Sequence, residues 1–156
     1  MYRVFLSYNT PDEMTVIWRL QTLAAASGLH LDVLNDRQRS DPAKVTKTID
    51  DADSVIAFLT QQPTPQVKKE LSYALKKNKP VIPIVEAGTT TSQINALLQH
   101  SGIPVFELDP RNPGKMESSL AGYLQRQKYD KDTKNALLAL AGAFVGLFLL
   151  DKLAES

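Results

Sequence analysis

Val55-Ile56-Ala57-Phe58-Leu59 sets five apolar residues in an unbroken row, framed by Asp53-Ser54 before it and Thr60-Gln61-Gln62 after it. The row is too short for a buried helix and is rich in β-branched and aromatic side chains. Such a row fits a strand covered on both faces of a parallel sheet. Working outward, Val81-Ile82-Pro83-Ile84-Val85 and Val4-Phe5-Leu6 repeat the pattern. Leu29-His30-Leu31-Asp32-Val33 alternates instead, and Val105-Phe106-Glu107-Leu108 does so less cleanly. Alternation marks a wetter face, as at a sheet edge. Three central and two edge strands fit the order 2-1-3-4-5 of a flavodoxin-like sheet.

Helical segments separate these strands, and their starts are marked. Thr10-Pro11-Asp12-Glu13 reads as an N-cap, a proline at N1 and a glutamate at N3. The helix behind it carries Val16, Ile17, Leu20, Leu23 and Ala24 on one face and ends near Gly28. Asp41-Pro42 and Thr64-Pro65 repeat the cap-then-proline signal. A weaker helix runs from about Ser92 to His100, and another follows Asn112-Pro113. The alternation of strand and helix predicts a doubly wound α/β domain over residues 1–127.

Composition excludes several classes of function. The chain has 156 residues and a net charge of +1, which argues against a general nucleic-acid binder. It has no cysteine, so disulfides, zinc ribbons and thiol nucleophiles are ruled out. His30 and His100 lack ligand-like spacing, and no metal site is expected. The start runs directly into strand-like sequence with no signal-peptide layout, which points to a cytoplasmic domain.

The C-terminal end reads differently. Lys128 to Lys134 forms a charged joint, and Asn135 to Leu150 carries no charge before the chain closes at 156. As a helix, the uncharged run spans ~24 Å. Gly142-Ala143-Phe144-Val145-Gly146 is a G-x-x-x-G, which permits close helix approach. A soluble helix normally keeps a polar face, and this run has none for four turns. The reading is a linker over 128–134 and a hydrophobic C-terminal helix over 135–156. That helix would serve as a membrane anchor or an oligomer core in preference to packing on its own domain.

In an open parallel sheet, ligands bind beyond the carboxyl ends of the strands. The residues placed there are Ser7, Tyr8 and Asn9 after strand 1, Asn35, Asp36, Arg37 and Arg39 after strand 2, and Thr60 after strand 3. No G-x-G-x-x-G or G-x-x-x-x-G-K-[ST] is present, and no aspartate ends strand 3, so Rossmann, P-loop and phospho-receiver sites are excluded. Glu70 stands in the second turn of the third helix, where Gln66, Val67, Tyr73 and Ala74 are its helical neighbours. None is basic, so no i,i+4 ion pair explains it. It is either a buried glutamate bonded to a backbone amide or to Tyr73, or a carboxylate that holds sugar hydroxyls and stabilises positive charge at an anomeric carbon. Tyr8 is either a core aromatic or a stacking surface for a flat ring. Arg37 and Arg39 either grip phosphates or lie in solvent.

These motifs together resemble a Toll/interleukin-1 receptor (TIR) domain of the bacterial kind. Val4-Phe5-Leu6-Ser7-Tyr8 matches the family's first box, and Asn35 to Pro42 occupies the place of its BB loop. Val67 to Leu75, followed by Lys79-Pro80-Val81-Ile82-Pro83-Ile84, is similar to the W-x-x-x-E segment and the K-P strand. Gln66 stands where the family usually has tryptophan, and the BB-loop segment has no aromatic residue. The resemblance implies a NAD+ glycohydrolase or cyclase that cleaves the nicotinamide–ribose bond, with NAD+ as substrate and no bound cofactor. It implies Glu70 as catalytic carboxylate, Gln66 beside it, a site completed by self-association of TIR domains, and a role in bacterial anti-phage defence. A non-catalytic TIR scaffold and a nucleoside deoxyribosyltransferase-like enzyme are the alternatives.

Overall fold

Ser54–Leu59 becomes a central strand, β3, with every residue buried. In the computed structural model, residues 1–9, 14–109, 111–112 and 114–155 are described, with side chains at all of these except 14–16 and 148–155. The Thr10–Glu13 cap and Pro113 lie outside the described residues. β1 (Tyr2–Tyr8), β2 (Leu29–Asp32), β4 (Val81–Glu86) and β5 (Phe106–Leu108) join β3 in one five-stranded sheet of order β2-β1-β3-β4-β5. All pairings are parallel, with Phe5 opposite Val55 and Ile56 opposite Ile82. The expected doubly wound order is therefore the observed one.

Period-2 alternation sends strand residues to two separate cores. Val4, Leu6, Ile56, Phe58, Ile82 and Ile84 face one layer, made by α1 (Met14–Ala26), α6 (Gly114–Gln125) and α7 (Lys131–Glu155). Phe5, Val55, Ala57, Val81 and Val85 face the other, made by α3 (Pro42–Asp51), α4 (Pro65–Lys76) and α5 (Ser92–Leu98). Asp41 and Thr64 cap α3 and α4 as read, accepting from the Ala43 and Val67 amides, each with proline just inside the helix. Gly28, at φ +79°, ends α1 in the left-handed region that glycine adopts without strain.

Two elements differ from the sequence reading. Asp36–Arg39 forms a single-turn helix, α2, where a loop was expected. Asn35 and Gln38 close a capping box on it, with the Gln38 amide donating to Asn35 Oδ1 at 2.8 Å and the Asn35 amide to Gln38 Oε1 at 3.0 Å.

The second difference is the C-terminal segment. Residues 128–134 are not a free linker, because α7 already begins at Lys131, with the Thr133 amide donating to Asp130 Oδ1 at 2.8 Å. The hydrophobic helix packs on its own domain. Ala136, Leu137, Leu140, Ala141, Phe144 and Leu147 are buried in the core over β1 and β3, and the Phe144 ring lies 5.3 Å from that of Phe58. α7 is laid against the sheet between α1 and α6, touching both. A helix covered on three sides needs no wide polar face, and the apolar arc that would suit a membrane anchor or an oligomer core is here covered by α1, α6 and the sheet. Gly142 faces α6, where a Cβ would come within 3.9 Å of Glu117 Oε1. Among the described residues, no helix is long and apolar enough to cross a membrane.

Candidate functional site

Val67, Glu70, Leu71 and Ala74 form the buried stripe of α4, at the i, i+3, i+4, i+7 spacing of a core-facing helix. Glu70 therefore lies inside the stripe, and its side chain is 0% exposed. A carboxylate at that depth requires partners. β1 supplies the first, because Ser7 points to the α4 side of the sheet and its Oγ donates to Glu70 Oε1 at 2.7 Å. Gln66, one turn earlier on α4, donates from Nε2 to Oε2 at 3.0 Å.

The remaining partner is Arg39, from the last position of α2. Its Nε donates to Oε2 at 2.9 Å and its Nη2 to Oε1 at 2.7 Å, a two-bond fork between side chains 4% and 0% exposed. The guanidinium carbon stands 4.4 Å from the centroid of the Tyr8 ring, in cation–π geometry. The Tyr8 hydroxyl donates to the Leu34 carbonyl, which anchors the chain just before α2. Burial alone pulls the Arg39 guanidinium down, but the bonds and charge of Glu70, with Tyr8 added, hold it above its ordinary value. Burial pushes the Tyr8 phenol up, against the pull of Arg39.

Of the residues named from sequence, Ser7, Tyr8, Arg39 and Glu70 meet in one buried cluster with the half-buried Gln66 at its rim. Arg39 is thus an internal partner of Glu70, an arrangement that neither of its two sequence readings, a phosphate grip or a solvated side chain, includes. The Tyr8 ring is 2% exposed and carries Arg39 on its face. The bond from Glu70 to Tyr73 considered from sequence is not formed, because the Tyr73 hydroxyl donates to Asp50 Oδ1 at 2.8 Å.

Asn9 and Asp36 line a neighbouring cavity of about 290 Å³ together with Arg39, Ser40, Thr64 and Gln66. Asn9 braces its floor, donating to the Gln62 carbonyl at 2.9 Å and accepting from the Thr64 amide at 3.1 Å. A second cavity, of about 260 Å³, reaches Glu70 itself and is lined by Arg39, Gln66, Lys69 and Tyr73 among others. Arg39, Ser40 and Gln66 belong to both cavities. Asn35 serves as the cap of α2. Arg37 is exposed and lines neither cavity, and Thr60 accepts from Thr89 Oγ1 at its carbonyl and also lines neither. Lys69 and Ser40 were not anticipated, since nothing in their sequence context distinguishes them from solvated residues.

The buried serine–glutamate–arginine cluster lies at the carboxyl edge of the central strands of a doubly wound sheet, the edge at which such α/β domains bind ligands. The TIR domain family model matches residues 4–114, and the chain belongs to that family. None of the curated proteins compared with it matches the chain. Among solved structures, it resembles the CMP N-glycosidase BcmB of Clostridium botulinum at 20% identity and a TM-score of 0.52, over 69% of this chain and 87% of that one. It also resembles a flavodoxin from Pseudomonas aeruginosa at 16% identity and a TM-score of 0.43, over 86% of this chain and 98% of that one.

Proposed function

We propose that the chain is a TIR-domain N-glycosidase that cleaves the bond between ribose and base in a nucleotide, with NAD+ as its substrate. The observation that carries this reading is a fully buried carboxylate, Glu70, at the ligand edge of the sheet, held by Ser7, Gln66 and Arg39. Family membership supports it, and so does the N-glycosidase named among the structural neighbours.

The chemistry suits such a group. Breaking the C1′–N bond of NAD+ sends the bonding pair to the pyridinium nitrogen, so nicotinamide leaves neutral and needs no strong acid. Positive charge develops on the ribosyl carbon and ring oxygen. Glu70 offers negative charge in a water-poor site and an acceptor for ribose hydroxyls, which lowers the barrier. Water then adds at C1′ and releases a proton, giving ADP-ribose, or an internal nucleophile closes a cyclic product. On this reading the enzyme draws on the cytoplasmic nucleotide pool in bacterial anti-phage defence, and it is switched on when TIR domains assemble.

A second reading, a non-catalytic docking scaffold, is favoured by one observation, that Arg39 occupies both oxygens of Glu70. The same experiment separates the two. Purified protein is incubated with NAD+ and, separately, with CMP, over a range of protein concentrations, and the products are resolved by mass. Glu70→Gln should lose at least a hundredfold in turnover while it melts cooperatively, and specific activity should rise with concentration. Turnover unchanged in a folded Glu70→Gln protein would remove Glu70 from the chemistry, and no base release by the wild type would leave the scaffold reading.

A further inference from the structure

We propose that Arg39 is a latch on Glu70 which the phosphate of the substrate releases, so that the site takes nucleotides and rejects the corresponding nucleosides. The inference rests on the glycosidase reading and names the substrate class of the same site.

The carboxylate is saturated. Oε1 accepts from Ser7 Oγ and Arg39 Nη2, and Oε2 accepts from Arg39 Nε and Gln66 Nε2. A carboxylate offers about four acceptor positions, and here four donors fill them. Glu70 thus has no room for a ribose hydroxyl until one partner leaves. Ser7 and Gln66 are fixed by β1 and by the first turns of α4. Arg39 is held by the four-residue helix α2, whose neighbours Asp36, Arg37 and Ser40 are exposed. Arg39 is therefore the partner that can move without disturbing the sheet.

Arg39 also lines both cavities, so a ligand in either one meets the guanidinium, whereas Glu70 lines only the second. A planar guanidinium gives up one bidentate anion readily only for another, and a phosphate matches the same two-bond fork. When Arg39 turns to a phosphate, its charge stays neutralised, Glu70 Oε1 and Oε2 each lose one donor, and the ribose hydroxyls take the vacated positions. A neutral nucleoside offers no such exchange, because it would leave both buried charges unpaired. The exchange moves no covalent bond and no proton.

The latch makes a prediction that runs against ordinary site mutagenesis. Glu70 competes with phosphate for Arg39, so removing its charge should tighten phosphate binding. The probe is ribose 5-phosphate, with ribose as the neutral control, titrated calorimetrically into the full chain. Glu70→Gln should bind ribose 5-phosphate about tenfold more tightly than wild type, within the usual range of coupling between two sites, and ribose no more tightly. Arg39→Lys, which keeps the charge and loses the fork, should bind ribose 5-phosphate more weakly than wild type, and Arg39→Gln more weakly still. Equal or weaker binding of ribose 5-phosphate by Glu70→Gln overturns the latch, as does Arg39→Lys binding it as the wild type does. Equal cleavage of CMP and cytidine by the wild type would also overturn it and leave the glycosidase reading standing. No base release by the wild type would defeat the glycosidase reading, and retained turnover in Glu70→Gln would remove only Glu70 from the chemistry; in either case affinity for ribose 5-phosphate still reads the latch.

Discussion

Replacing Arg39 with methionine keeps most of the side-chain volume and removes the charge that faces Glu70. The carboxylate then keeps Ser7 and Gln66 as donors but stands as an uncompensated charge on a side chain 0% exposed. Breaking a buried pair from one side costs about 3–5 kcal/mol, a large part of the 5–15 kcal/mol that holds a typical domain folded. The reverse removal, Glu70→Gln, is milder, because Arg39 sits on a one-turn surface helix from which it can reach solvent. A cost of about 1–3 kcal/mol is expected there. Removing both charges as Arg39→Met with Glu70→Leu should bring stability back to within about 1 kcal/mol of wild type or above it, since well-packed apolar replacements of buried pairs are often neutral or stabilising. The assay is urea unfolding of the four proteins, followed by circular dichroism, with the denaturant slopes compared so that only midpoint shifts are read as stability. A loss under 1 kcal/mol for Arg39→Met would refute the reasoning. It would mean that the pair is solvated in the working protein and that Arg39 does not cap Glu70.

Phe144→Ala should cost about 3–5 kcal/mol, because the ring is fully buried against Phe58, and urea unfolding at two protein concentrations should give the same midpoint if the packing is within one chain. A chain stopped after Asp132 loses Leu137, Leu140, Phe144 and Leu147 from the core, worth about 1.5–3 kcal/mol each, and should show no cooperative transition; a truncated chain as stable as the full one would contradict the packing of α7. Asp130 is held below its ordinary pKa of 3.8, first by the Thr133 backbone amide and then by the Thr133 side chain. A carboxyl with a lowered folded value contributes stability that is present above 3.8 and is lost as the pH falls through the folded value. Asp130→Asn, which keeps the cap without the charge, should therefore lose less stability than wild type between neutral pH and pH well below 3.8, as read by the urea midpoint.

The central strands were legible because burial on both faces removes polar residues from the row, and no helix of five residues could explain Val55 to Leu59. The starts of α3 and α4 were legible because Asp41-Pro42 and Thr64-Pro65 write cap and first turn into adjacent positions. α2 was not read, although Asn35 and Gln38 stand at the capping-box spacing. A single turn carries no hydrophobic period, so the cap is its only signal. α7 was read as a helix but given the wrong surroundings. Periodicity reports how wide the apolar arc is, and says nothing of whether that arc is covered by lipid, by another chain or by α1 and α6.

The site divides along the same line. Ser7, Tyr8, Gln66 and Glu70 were nameable one by one, since strand ends and helix starts at the carboxyl edge of such a sheet are where ligands bind. The link that organises them was not. Arg39 and Glu70 are 31 residues apart, on elements that meet only because β2 lies beside β1 and α4 crosses over the sheet. Nothing in the polar segment marks Arg39 for burial and Arg37 for solvent, since the depth of Arg39 is decided by a carboxylate elsewhere in the chain. Yet the carboxylate itself carried a local sign: Glu70 interrupts an apolar stripe with no basic residue one turn away. A charge at such a position must find a distant partner, and a pair of this kind adds little net stability for the burial that it demands. The Arg39→Met with Glu70→Leu protein decides what the pair is for: stability at or above wild type would show that its charges are not kept for the fold.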